Sequence, residues 1–125
     1  MRIASLIARY LLGLIFVIFG ANGFLQFIHM PPPTGLAGQF MGAIFMSHYY
    51  VAIFLLQLVG GLLLLAGRYV PLALVLLGPV IVNIFLFHVF LAPAGLPMAT
   101  VVVTLWLLTF AGVRSAFAGI FQAKA

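Results

Sequence analysis

Four apolar runs, each uncharged and each about 20 residues long, constrain this chain more than any other feature. They extend over Tyr10 to Ile28, Tyr49 to Gly67, Val70 to Leu91 and Leu96 to Val113. At 1.5 Å per residue each crosses roughly 30 Å of hydrocarbon with the help of its flanks. The runs are continuous rather than alternating, and each is longer than the roughly 10 residues of a barrel strand. Backbone polar groups in lipid must be satisfied within the segment, so the runs are read as helices. The composition agrees: of 125 residues, 67% are hydrophobic and 4% charged, far from the quarter or more that a soluble surface needs. The expected fold is all-α, an integral membrane four-helix transmembrane bundle forming a single domain over residues 1–125, with spans at about 6–28, 49–67, 70–91 and 96–113.

The breaks between runs have local causes. His29-Met30-Pro31-Pro32-Pro33-Thr34-Gly35 contains three successive prolines, which remove donors and force extended backbone. Gly67-Arg68-Tyr69-Val70-Pro71 and Ala92-Pro93-Ala94-Gly95-Leu96-Pro97 are short turns with Pro at a helix start. Leu36 to Ser47 is too short to span. It is read as a short interfacial helix in the first outer loop, with Leu36, Phe40, Ile44 and Phe45 on its apolar side.

All five cations, Arg2, Arg9, Arg68, Arg114 and Lys124, fall at one end of this scheme, and the loops over 29–48 and 92–97 carry none. The positive-inside rule then places both termini in the cytoplasm and the Pro-rich loop outside. The positive charge is thereby a topology signal and implies no nucleic-acid partner. A cleaved secretory signal is the rival reading of the N-terminus; no soluble mature domain follows it to be exported.

Two absences limit the chemistry. The chain contains no Cys, which excludes a disulfide, a thiol redox centre, iron–sulfur ligation and covalent c-type haem. It contains no Asp or Glu, which excludes carboxylate acid–base pairs, carboxylate-held Mg²⁺ or Ca²⁺ and an intramembrane carboxylate relay. No complete catalytic constellation remains, and no intrinsic cofactor is implied. His29, His48 and His88 lie near the outer surface. They show no i, i+4 pairing, and no carboxylate is present to orient a ligated ring, so they are read as interfacial anchors rather than metal or haem ligands.

The polar residues of the spans are the remaining candidates. Asn22, Gln57, Asn83 and His88, with Thr104, are expected in the outer half of the bundle, above an aliphatic and aromatic inner half. Two readings stand side by side. In one, Asn22, Gln57 and Asn83 hydrogen-bond one another across helices, each bond worth roughly 0.6 kcal/mol. In the other, Asn22, Gln57, Asn83 and His88 line an outer-leaflet pocket with Phe19, Phe87 and Trp106, suited to a quinone, whose carbonyls accept hydrogen bonds and whose tail is apolar. The glycines Gly13, Gly20 and Gly23, and the pair Gly60-Gly61, read as close helix contacts. Gly78-Pro79 is expected to kink the third span and free carbonyls in the bundle interior. Arg9-Tyr10 and Arg68-Tyr69, each followed by a His 20 residues after the Arg, form a weak internal echo.

Several of these pieces resemble the DoxX family of small bacterial membrane proteins. Arg9-Tyr10-Leu11-Leu12-Gly13-Leu14-Ile15-Phe16 followed by Gly20-x-x-Gly23-Phe24 is similar to its opening helix. Gln57-Leu58-Val59-Gly60-Gly61-Leu62-Leu63-Leu64 resembles its second-helix motif, and Pro71-Leu72-Ala73-Leu74, Gly78-Pro79-Val80-Ile81-Val82-Asn83 and Phe87-His88 resemble its third helix and the preceding loop. The similarity runs from about Arg9 to Phe121. It implies a four-helix bundle in the bacterial inner membrane, associated with a quinone-linked oxidoreductase, with quinone as the cofactor touched, and with lipid and other membrane subunits, or further copies of itself, as neighbours. Gln57 stands where the family commonly has Glu, which keeps hydrogen bonding and loses the titratable proton. The alternative function is a non-catalytic structural accessory subunit of a larger respiratory or photosynthetic membrane complex.

Overall fold

The computed structural model describes residues 2–28, 31–120 and 122–123, so His29, Phe121 and Lys124 lie outside the described residues. The described chain forms α1 (Arg2–Leu25), α2 (Gly35–Met46), α3 (Tyr49–Ala66), α4 (Val70–Phe90) and α5 (Leu96–Val113). Single 3₁₀ turns cover Pro93–Gly95 and Arg114–Phe117. Four helical segments are long and apolar enough to cross a membrane: Ile3–Leu25, Tyr49–Ala66, Val70–Phe90 and Pro93–Phe117. The protein is a multi-pass membrane protein, a four-helix transmembrane bundle with one short apolar helix in its first loop.

The spanning helices form a ring in which α1 packs on α3, α3 on α4, α4 on α5 and α5 on α1. Leu12, Phe16, Leu64, Leu74 and Leu77 are fully buried at its axis. Large apolar side chains also cover the outside, among them Leu11, Leu14, Ile18, Leu55, Leu62, Val75, Val82, Val101 and Leu107. Burial of apolar surface from water therefore does not hold the helices together; close packing and hydrogen bonds must. Glycines supply the packing between α1 and α3. A Cβ on Gly61 would stand 2.8 Å from the Val17 backbone nitrogen and 2.9 Å from the Gly13 carbonyl oxygen. One on Gly20 would stand 3.0 Å from the Leu58 nitrogen. The two backbones approach as only side-chain-free positions permit.

The helix ends differ from the ends of the apolar runs at α1. The helix begins at Arg2, well before the apolar run opens at Tyr10, and stops at Leu25 rather than Ile28. Gln26 takes a left-handed conformation, φ 54°, and its N–H donates to the Asn22 carbonyl at 2.8 Å. The Asn22 side-chain oxygen then accepts the Ile28 N–H at 2.8 Å, which ties down the exit from the helix. At the other end of the bundle α3 closes on Gly67, φ 70°, whose N–H donates to Leu63 and Leu64 carbonyls while that of Arg68 donates to Leu63. This left-handed glycine cap satisfies carbonyls that would otherwise be orphaned.

The loop helix packs against the loop end of the bundle. Leu36 and Phe40 are exposed, Ile44 and Phe45 half-buried, and Ala37 buried. Phe45 stacks on Tyr50 of α3 with centroids 5.0 Å apart, and Phe40 lies 5.6 Å from Phe87 of α4. These contacts fasten α2 over the loop end of the bundle. The Arg-Tyr echo has no structural counterpart: Arg9-Tyr10 lies inside α1, whereas Arg68-Tyr69 forms the turn before α4.

Candidate functional site

The four residues expected to share a site occupy different positions around the bundle. Asn22 is half-buried on α1 and serves its own helix end, as above. His88 is half-buried near the end of α4. Its Nδ1 lies 2.8 Å from the Ile84 carbonyl, which only accepts, so Nδ1 is the donor of that bond. The ring packs against Gly95 of the α4–α5 turn, where any side chain would collide with it. Asn83 donates from Nδ2 to the Pro79 carbonyl of its own helix at 2.8 Å. It faces outward from the bundle rather than inward.

Gln57 alone of the four points into the interior, at 5% exposure. It lies on α3 between the residues that meet α1 and Gly60, which meets Leu77 of α4. No hydrogen bond joins Asn22, Gln57 and Asn83 to one another among the described residues. The expected amide-to-amide bonding is therefore corrected: two of the three amides are held by backbone of their own segment, because an i−4 carbonyl or a helix-terminal N–H lies within reach of a short Asn side chain. Gln57 is buried as a residue, but its amide atoms are not among the enclosed, unpartnered polar atoms of the described residues, so no desolvation penalty falls on it. With no cross-helix amide bond to lose, Gln57→Leu is expected to change stability by less than about 1 kcal/mol. Thermal unfolding in detergent measures this; a larger loss would mean that Gln57 holds a bond.

The cross-helix hydrogen bonds lie elsewhere. Ser5 Oγ of α1 donates to the Leu108 carbonyl of α5 at 2.7 Å, beside Gly112, whose Cβ would meet Ser5. Trp106 Nε1 of α5 donates to the Leu74 carbonyl of α4 at 3.1 Å, and its ring stacks on Phe110 with centroids 5.5 Å apart. Ser5 precedes the first apolar run, so hydropathy gave no reason to count it as a span residue. Its signal was the small-residue partner at Gly112. Thr100, Thr104 and Thr109 each donate to the carbonyl four residues before them and bridge nothing.

Two cavities open on the outward face of α4. One, about 360 Å³, lies between α4 and α5, lined by Gly78, Ile81, Val82, Val103, Trp106 and Leu107, with Phe85 and Leu86 above. The lining is apolar throughout. Gly78 makes the room: Trp106 is the nearest group to where its side chain would be, at 3.9 Å. Pro79 lies on the exposed side of the same helix, so the break it makes in the hydrogen-bond ladder opens toward the surroundings and not the interior. The second cavity, about 250 Å³, is lined by Phe40, Asn83, Leu86, Phe87, Phe90 and Leu91. Asn83 is the one polar side chain in either lining. Phe87 of the expected pocket belongs to the second cavity and Trp106 to the first, whereas Asn22 and Gln57 belong to neither. Among the described residues no group of His side chains is arranged to hold a metal ion.

The chain matches no family model, no curated protein and no solved structure.

Proposed function

We propose that this protein is a non-catalytic accessory subunit of a larger membrane assembly, docked through the outward face of α4 around Asn83. The outward amide carries the reading. Asn83 lies seven residues, about 10 Å along the axis, before the end of α4, within the hydrocarbon layer of a spanning helix. One of its N–H groups is used by Pro79, which leaves a carbonyl oxygen and a second N–H directed away from the bundle. Lipid tails offer neither group a partner, and a neighbouring transmembrane helix does. The grooves on either side of Val82 and Leu86 give that helix a relief to pack into.

The DoxX-like, quinone-linked reading is kept as a second one because of a specific feature. The apolar cavity beside Trp106 has the size and lining to take part of an isoprenoid tail or a flat ring. In that case electrons come from a partner, and Asn83 of the neighbouring cavity is the amide offered to a quinone oxygen. Native purification in mild detergent, with mass spectrometry of the subunits, lipids and quinones retained, separates the two. The accessory reading expects stoichiometric membrane subunits; a chain that purifies alone with quinone bound overturns it.

The proposed location is the bacterial inner membrane, with both termini cytoplasmic. Arg9, Arg68 and Arg114 lie at the end of the bundle formed by the α3–α4 turn and the close of α5, opposite α2. A phosphatase reporter fused after Pro33 is expected to be active, and one fused after Arg68 inactive. The reverse pattern would invert the orientation.

A further inference from the structure

We infer that Arg9 forms a binding site for the phosphate of a phospholipid headgroup, at the foot of a step in the cation-bearing end of the bundle. The contacts of Gly13 with Leu65, Gly61 with Val17 and Gly20 with Leu58 fix an antiparallel register that brings Arg9 to the α3–α4 turn at Gly67. Beyond Arg9, α1 continues to Arg2, about 10 Å at 1.5 Å per residue, and Ser5 ties that extension to α5. The α3–α4 turn stops short of it. Arg9 therefore sits on the side of the bundle rather than on its tip.

The side chain there is held but not satisfied. Its guanidinium carbon lies 4.6 Å from the centroid of the Tyr10 ring. Its two terminal nitrogens lie 3.0 and 3.2 Å from where a Cβ on Gly67 would stand. Gly67 thus does two things at once: it adopts the left-handed cap of α3, and it leaves room for the fork against the carbonyl end of that helix. Arg9 Nε is buried without a hydrogen-bond partner, and no described residue accepts from the rest of the guanidinium. The chain contains no Asp or Glu, so no side-chain carboxylate of its own can answer the charge. A preorganised planar fork with unused donors suits a phosphate or carboxylate.

The surroundings favour a phosphate carried by an amphiphile. Tyr10, over whose ring the fork lies, is exposed, and so is Tyr69, two residues after the Gly67 that the fork packs against; tyrosines at the edge of spanning helices mark the headgroup level. Arg68 of the adjoining turn adds a second cation.

The test uses the full chain in mild detergent, titrated with dioleoyl phosphatidylglycerol, with dioleoylglycerol, which lacks the phosphate, and with inorganic phosphate, and read by native mass spectrometry. One phosphatidylglycerol per chain is expected to be retained, dioleoylglycerol is not, and millimolar inorganic phosphate does not displace the lipid. Arg9→Gln is expected to weaken retention about tenfold, and Arg114→Gln to change it less than about twofold. Should Arg9→Gln fail to fold by circular dichroism, Arg9→Lys decides, since it keeps the charge and loses the fork; about threefold weaker retention is expected. Equal retention by wild type and the Arg9 variant, equal binding of dioleoylglycerol, or displacement by inorganic phosphate would overturn the assignment. So would a cross-link from Tyr10 to an acidic residue of a partner subunit in the native complex, which would make the anion a protein carboxylate.

Discussion

Gly61→Ala is expected to destabilise the bundle by about 3 kcal/mol, while the same substitution at Gly42 is neutral or stabilising by about 0.5 kcal/mol. The added methyl group is identical, and its surroundings decide the sign. At Gly61 it meets the Val17 nitrogen and the Gly13 carbonyl oxygen under 3.0 Å away, and backbone cannot rotate aside as a side chain would. The α1–α3 pair must separate, and in a bundle whose outside is as apolar as its inside, packing lost at that seam is not recovered elsewhere. At Gly42, on the loop helix, nothing lies within 4 Å, so alanine brings only its better helix propensity. Reversible unfolding in mixed detergent micelles gives both values. Equal effects at the two positions would mean that the α1–α3 contact is not the seam that holds the fold.

Asn83→Leu is expected to release the co-purifying subunits while the isolated chain keeps its fold. The side chain faces outward and its one internal bond goes to its own helix, so the bundle loses little when it is replaced. The docked helix loses the hydrogen bonds that fix its register, worth about 1 kcal/mol each in a membrane, and the leucine fills part of the cavity beside Phe40 and Phe87. Subunit stoichiometry and thermal unfolding of the purified variant report the two effects separately. A fall in the unfolding temperature with the subunits still bound would give Asn83 a role within the bundle instead.

The spans, the turns and the loop helix were legible in the sequence because each rests on a local rule: length against hydrocarbon thickness, and proline against the helix ladder. Gly61 was legible as a close helix contact, whereas Gly67 was read only as part of a turn and its left-handed cap is a finding of the structure. The directions of the polar side chains were not. Asn22, Gln57 and Asn83 have similar depths along their helices, and depth follows from counting residues. Whether they meet depends on how each helix is rotated about its axis, and α4 is so uniformly apolar that no stripe in its sequence marks an inner face. That is why Asn83 was expected inside and stands outside. Ser5 was missed from the other direction, since an apolar run bounded at Arg9 excludes it, although the helix and its packing continue to the N-terminal side.

The central claim is that the outward face of α4 is a protein-facing surface. A photo-reactive amino acid placed at Val82 or Leu86, on either side of the Asn83 level, tests it most directly when irradiated in intact membranes. The account predicts a discrete cross-link to a membrane subunit from these positions, and none from Leu14 or Ile18 on the exposed side of α1. Cross-links to lipid alone from Val82 and Leu86, indistinguishable from those at Leu14, would contradict it.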